Sequence, residues 1–60
     1  MENKYSGMTV NERLYVSGLM DQFDKAVEER DIERVRSILN SVELTEESIG
    51  PILERLGLLP

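Results

Sequence analysis

The sequence predicts an all-α fold, a small bundle of three to four short helices that dimerisation could complete. Apolar residues recur at steps of three and four residues in two long segments, and no segment alternates apolar and polar residues as a strand does. A chain of 60 residues is long enough for one domain. We expect residues 9–60 to form this single helical domain and residues 1–8, which lack apolar periodicity, to form a flexible N-terminal tail.

The first helix is predicted to begin near Val10. Thr9 and Glu12 match a capping box, in which the Thr9 hydroxyl accepts from the Glu12 amide and the Glu12 carboxylate accepts from the Thr9 amide. Gly18 lies within the apolar stripe that follows, so we expect the segment to bend or split there, or to cross another helix closely. The stripe is formed by Leu14, Tyr15, Leu19, Phe23 and Val27, with Val16, Met20 and Ala26 beside them.

The second predicted helix follows an acidic interruption of the stripe at residues 28–31. Asp31 is a suitable N-cap, so we expect a tight corner before it and a helix that ends around Asn40 or Ser41. Its apolar stripe is Ile32, Val35, Ile38, Leu39 and Val42. Basic and acidic residues alternate around it, which predicts ion pairing on a solvated face by Arg30, Arg34 and Arg36.

The third apolar segment is predicted to begin after Thr45, where two acidic residues lie in the first turn. Pro51 lacks an amide donor and disfavours helical geometry at the residue before it. We therefore expect a short turn over residues 46–49 and a fresh start at Pro51, with a single kinked helix as the alternative. Gly57 lies where a left-handed residue ends many helices, and Leu58 supplies the apolar contact that such endings use.

The composition excludes several kinds of chemistry. The chain has no Cys and no His, so it lacks disulfides, thiol catalysis, zinc-type ligand clusters and a side chain that titrates near neutral pH. The carboxylates that could act in pairs fall on a predicted exposed face; they are Asp21 with Asp24 and Glu28 with Glu29. The sequence therefore predicts a protein that is not an enzyme, with no catalytic residue, no cofactor and no metal site.

Twelve acidic and seven basic residues give the chain a formal net charge of −5. This charge disfavours direct binding to nucleic acid or to an anionic membrane. The third apolar segment, which would enter the DNA groove in a helix-turn-helix, is itself acidic. No apolar stretch approaches the length of a membrane span and the N-terminus does not resemble a secretion signal, so we expect a cytoplasmic protein.

A bundle this small is expected to leave some large apolar side chains uncovered, and these form the predicted interface. The candidates are Tyr15, Met20, Phe23, Leu58 and Leu59. Core positions are the favoured interpretation for Tyr15, Leu19 and Phe23, whereas core and interface are equally expected for Met20, Leu58 and Leu59. We expect a small helical protein–protein interaction module that associates with itself as a homodimer, or with another protein. The alternative function is an acidic, nucleic-acid-mimicking inhibitor of a nucleic-acid-binding enzyme, of the mobile-element counter-defence type.

A resemblance to other proteins covers about residues 8–40. It is carried by Asn11-Glu12-Arg13-Leu14-Tyr15, Ser17-Gly18-Leu19-Met20-Asp21, Phe23-Asp24 and Arg30-Asp31. These runs resemble a group of short uncharacterised proteobacterial helical proteins. The resemblance implies a bacterial helical protein and brings no activity, catalytic residue or binding residue with it.

Overall fold

The computed structural model describes residues 4–59, which hold four α-helices and no strand. They are α1 (Val10–Ser17), α2 (Met20–Glu28), α3 (Ile32–Ser41) and α4 (Glu46–Arg55). Each helix packs on its neighbour in the chain, α1 on α2, α2 on α3 and α3 on α4. The predicted all-α bundle is confirmed.

One apolar core joins all four helices and the C-terminal turn. Its members are Leu14, Phe23, Ala26, Val35, Ile38, Leu39, Ile49, Leu53 and Leu58. Within residues 4–59 no polar or charged side chain is buried. The fold is therefore held by apolar burial, which contributes about 1.5–3 kcal/mol for each large side chain removed from water.

Gly18 divides the first apolar stripe into two helices. Leu14 and Phe23 are nine residues apart, so in one uninterrupted helix they would point about 180° away from each other. Because α1 ends at Gly18, which has a φ of 77°, both side chains enter the same core. The break that brings Leu14 inward turns Tyr15 outward, and the sequence prediction of a shared Leu14 and Tyr15 stripe is wrong in this respect.

All four helices end in the same hydrogen-bonded motif, in which a left-handed residue is followed by an amide that reaches back five residues. The left-handed residues are Gly18, Arg30, Glu43 and Gly57. The closing bonds run from Leu19 N to Leu14 O, Asp31 N to Ala26 O, Leu44 N to Leu39 O and Leu58 N to Leu53 O. The glycine endings carry a sequence signal, whereas the endings at Arg30 and Glu43 do not.

Pro51 lies inside α4, which runs without interruption from Glu46 to Arg55. The predicted fresh start at Pro51 is wrong. The proline leaves the Glu47 carbonyl without its usual amide partner, at a cost of about 3 kcal/mol or more in a helix interior. Ile49 and Leu53, on either side of the proline, are both fully buried. Their burial is of sufficient size to offset this cost.

Residues 4–8 pack against the bundle, although the sequence predicts a tail over residues 1–8. Tyr5 is only 7% exposed, and a turn is closed by the bond from the Met8 amide to the Tyr5 carbonyl at 3.0 Å. The apolar ring gives this segment a reason to leave water. Residues 1–3 and 60 lie outside the described residues.

Two arginines tie distant parts of the chain together. Arg13 donates from Nε to the Met8 carbonyl and from Nη1 to the Val42 carbonyl, both at 3.1 Å. Arg30 donates from Nη2 to the Gly57 carbonyl at 2.7 Å. The Val42 and Gly57 carbonyls lie at the C-terminal ends of α3 and α4, where the helix dipole favours a cation.

Among the three arginines expected to form ion pairs, Arg36 does so. Its Nη1 lies 3.3 Å from Oε1 of Glu46, in the first turn of α4. Both side chains are exposed, so the pair contributes at most about 1 kcal/mol.

Candidate interaction surface

Tyr15 and Val16 stand out of the bundle on the outer side of α1. Tyr15 is 80% exposed and Val16 is 51% exposed. Among residues 4–59, these are the two large apolar side chains that are exposed. They line a shallow groove with Met8, Asn11, Glu12 and Met20. We call these six residues the Tyr15 surface. An exposed aromatic ring beside aliphatic and thioether side chains is the composition of a protein contact.

Local structure holds α1 in place and so fixes the direction of the Tyr15 ring. The predicted capping box is present: the Thr9 amide donates to Glu12 Oε1 at 2.9 Å, and the Glu12 amide donates to Thr9 Oγ1 at 3.2 Å. At the other end the Ser17 hydroxyl donates to the Leu14 carbonyl at 3.1 Å. With Leu14 fully buried, α1 cannot rotate to cover the tyrosine without losing that core contact.

The structure brings together two of the five predicted interface residues, Tyr15 and Met20. Phe23 and Leu58 are buried in the core, at 9% and 4% exposure, and Leu59 is half-buried against it. These three side chains offer little area to a partner.

The sequence reasoning did not single out Met8 and Val16 as interface residues. Val16 follows Tyr15 directly, and an outward turn of α1 exposes both. Met8 joins them because residues 4–8 fold back on the bundle instead of forming a tail. The expected break at Gly18 is the sequence signal for Val16, because a separate α1 that buries Leu14 turns Tyr15 and Val16 outward.

The charged residue of the Tyr15 surface is acidic. Glu12 belongs to the surface itself, and Asp21 and Asp24 are exposed on the adjacent α2. The nearest arginine in sequence, Arg13, points its guanidinium at backbone carbonyls. The surface therefore combines apolar area with the Glu12 carboxylate, on a chain whose formal charge is −5.

The carboxylates considered as catalytic pairs stay in solvent. Asp21, Asp24, Glu28 and Glu29 are all exposed on or just after α2. Within the described part of the chain, no group of three or more Asp or Glu residues is arranged to hold a metal ion.

A second groove lies on the other side of α1. Thr9, Val10 and Asn11 face Ile52, Arg55 and Leu56 of α4 and the turn after it. Its apolar members are half-buried and pack against the core. Asn11 lines both grooves, so α1 forms a ridge between them.

No helix among residues 4–59 has both the length and the apolar character needed to cross a membrane. Comparison of the chain with protein-family models, with curated proteins and with solved structures gave no match.

Proposed function

We propose that the protein is a small helical interaction module that associates with a second copy of itself through the Tyr15 surface. The observation that supports this proposal is the 80% exposure of Tyr15 beside Val16, Met8 and Met20. In a two-fold dimer each copy would cover the tyrosine of the other with the same residues. We also propose that it acts in the cytoplasm, because its fold closes without a disulfide and so suits a reducing compartment.

The size of the surface sets the strength that this contact can have. A tyrosine side chain offers about 150–250 Å². Because its neighbours are smaller and Met8 and Met20 are partly covered, the Tyr15 surface falls well short of the roughly 800 Å² per partner that a stable interface buries. The proposed association is therefore weak and depends on protein concentration.

The experiment is sedimentation equilibrium over a wide concentration range on the wild-type chain and on Tyr15→Ser. We expect reversible self-association of the wild type and at least a tenfold weaker association of the variant, because the ring supplies most of the apolar area. Gln22→Ala, at an exposed position of α2 outside the Tyr15 surface, is the control and should associate as the wild type does. A wild-type chain that stays monomeric at millimolar concentration would overturn the proposal.

The second candidate function is an acidic inhibitor of a nucleic-acid-binding enzyme. It is favoured by one observation: Asp21, Asp24 and Glu28 are all exposed on α2 at steps that place them on one side of the helix. Such a row could take the place of backbone phosphates on a cationic enzyme surface.

Salt separates the two functions by the sign of its effect. Two copies that each carry a formal charge of −5 repel, so added salt should strengthen self-association. An acidic inhibitor held by a cationic enzyme should dissociate as salt rises from about 50 to 300 mM. Sedimentation and pull-down from a bacterial lysate at these two salt concentrations would distinguish them.

A further inference from the structure

The link between α1 and α2 contains two residues, Gly18 and Leu19. If the chain continued as a helix through this link, Tyr15, Leu19 and Phe23 would follow each other at four-residue steps on one face. The apolar pattern thus fits two arrangements. One is the broken pair of helices with Leu14 in the core and Tyr15 in water. The other is a single helix over residues 10–28 with Tyr15 in line with the core-facing residues of α2.

We propose that the chain has a second state in which α1 and α2 join into this single helix and two copies exchange their α1 segments. This inference rests on the proposed self-association and specifies how the second copy is engaged. The exchange leaves each bundle complete, with α2 to α4 from one copy and α1 from the other.

A second copy is the occupant that fits the site that α1 would leave. Leu14 is 0% exposed while α1 is docked, so its side chain would lose this burial if α1 left its own bundle. The α1 site of another open copy has the same shape and the same carbonyl acceptors for Arg13, at residues 42 and 43. Exchange therefore restores the closed contacts, and the two states differ mainly at the link and in any new contact between copies.

The new contact accounts for the exposure of the Tyr15 surface. In the exchanged dimer the two long helices pass each other near their links, so the residues around Gly18 lie near the two-fold axis. Tyr15 and Val16 are one turn or less before Gly18, and in the closed chain they are 80% and 51% exposed. The exchanged state is stabilised relative to the closed one because it removes the apolar surface of these two side chains from water.

Gly18→Ala tests this proposal, with Gly57→Ala as its matched control. Both glycines are left-handed, at φ values of 77° and 75°, and a Cβ at either meets nothing within 4 Å. Alanine disfavours both endings in the closed chain. At residue 18 it also favours the joined helix, whereas α4 has no helix to continue into before residue 59. We expect Gly18→Ala to lower the dimer dissociation constant by at least about a hundredfold, because each dimer contains two substituted links. Gly57→Ala should not lower it.

Isotope-filtered NMR on a mixture of labelled and unlabelled Gly18→Ala distinguishes exchange from simple surface contact. Exchange predicts intermolecular NOEs between Leu14 methyl groups and the core of the other copy. Intermolecular NOEs restricted to the Tyr15 surface would overturn the exchange while leaving the proposed function in place. If neither the wild type nor Gly18→Ala associates, both proposals fail.

Insertion of three glycines between Gly18 and Leu19 keeps the test valid if Gly18→Ala does not fold. The longer link cannot continue as a stable helix, so we expect a folded monomer with at least tenfold weaker self-association than the wild type. Self-association of this variant at wild-type strength would overturn the exchange.

Discussion

Glu43 holds a backbone conformation that residues with a Cβ rarely adopt. Its φ is 67°, and it closes the ending of α3 through the bond from its amide to the Asn40 carbonyl at 2.9 Å. Its side chain is exposed, so nothing in the core depends on it. The left-handed region costs a residue with a side chain about 1–2 kcal/mol relative to the right-handed one.

Replacing Glu43 with glycine should therefore stabilise the fold. We expect Glu43→Gly to raise the free energy of unfolding by about 0.5–1 kcal/mol, after the greater entropy of glycine in the unfolded chain is subtracted. Urea unfolding followed by circular dichroism measures this. Arg30→Gly relieves the same strain but loses the bond to the Gly57 carbonyl, so its gain should be smaller. A Glu43→Gly chain no more stable than the wild type would contradict the argument.

At the scale of the element, the start of α1 and the end of α3 are joined by a single side chain. Arg13 is half-buried and donates to three backbone carbonyls, those of Met8, Val42 and Glu43. Hydrogen bonds from a charged donor are stronger than neutral ones, but Arg13 is only half-buried and its three bonds share one side chain, so their contributions do not add bond by bond.

Arg13→Met keeps the apolar stem and removes the three donors. We expect a loss of about 1–3 kcal/mol in the free energy of unfolding. The amides of residues 8–17 should exchange with solvent faster than they do in the wild type. Hydrogen exchange followed by NMR reports both effects. Arg34→Met is the control, since the cap at α3 uses the backbone amide of that residue. Equal effects of the two substitutions would show that Arg13 acts only through its charge.

Within α4, Pro51 is a cost that the bundle tolerates. Its side chain is exposed, and alanine at that position would restore the amide that the Glu47 carbonyl lacks. We expect Pro51→Ala to stabilise the protein by about 1–2 kcal/mol, because the helical gain exceeds the added freedom of the unfolded chain. Thermal unfolding should show a higher midpoint with the same helix content. A lower midpoint would mean that the proline sets a bend that the core requires.

At the scale of the whole molecule, the free energy of unfolding is small. Each substitution described above would change it by a large fraction. A 60-residue domain is stabilised by about 3–9 kcal/mol. Self-association adds to the apparent stability by mass action. The variants should therefore be compared at one low protein concentration, where the weak association proposed for the Tyr15 surface does not contribute.

Much of this architecture was predictable from local signals. The starts of α1, α3 and α4 follow Thr9, Asp31 and Thr45, and the ending at Gly57 is marked by the glycine itself. These signals act within a few residues, so the sequence contains them directly. These local signals are enough to predict where the helices lie and roughly where they begin and end.

The rest depended on residues that are far apart in the chain. Arg13 bonds a carbonyl 29 residues away and Arg30 one 27 residues away, and no local pattern indicates either contact. Continuity of α4 through Pro51 depends on the tertiary burial of Ile49 and Leu53. The candidate surface was predicted only in Tyr15 and Met20, because its position depends on how α1 turns after the break at Gly18.

Because Gly18 and Leu19 break the helix, α1 takes the angular phase that buries Leu14. Successive residues of a helix point about 100° apart, so the burial of Leu14 leaves Tyr15 turned away from the core. A single step along α1 therefore separates the side chain that holds the bundle together from the aromatic ring that is exposed to its surroundings.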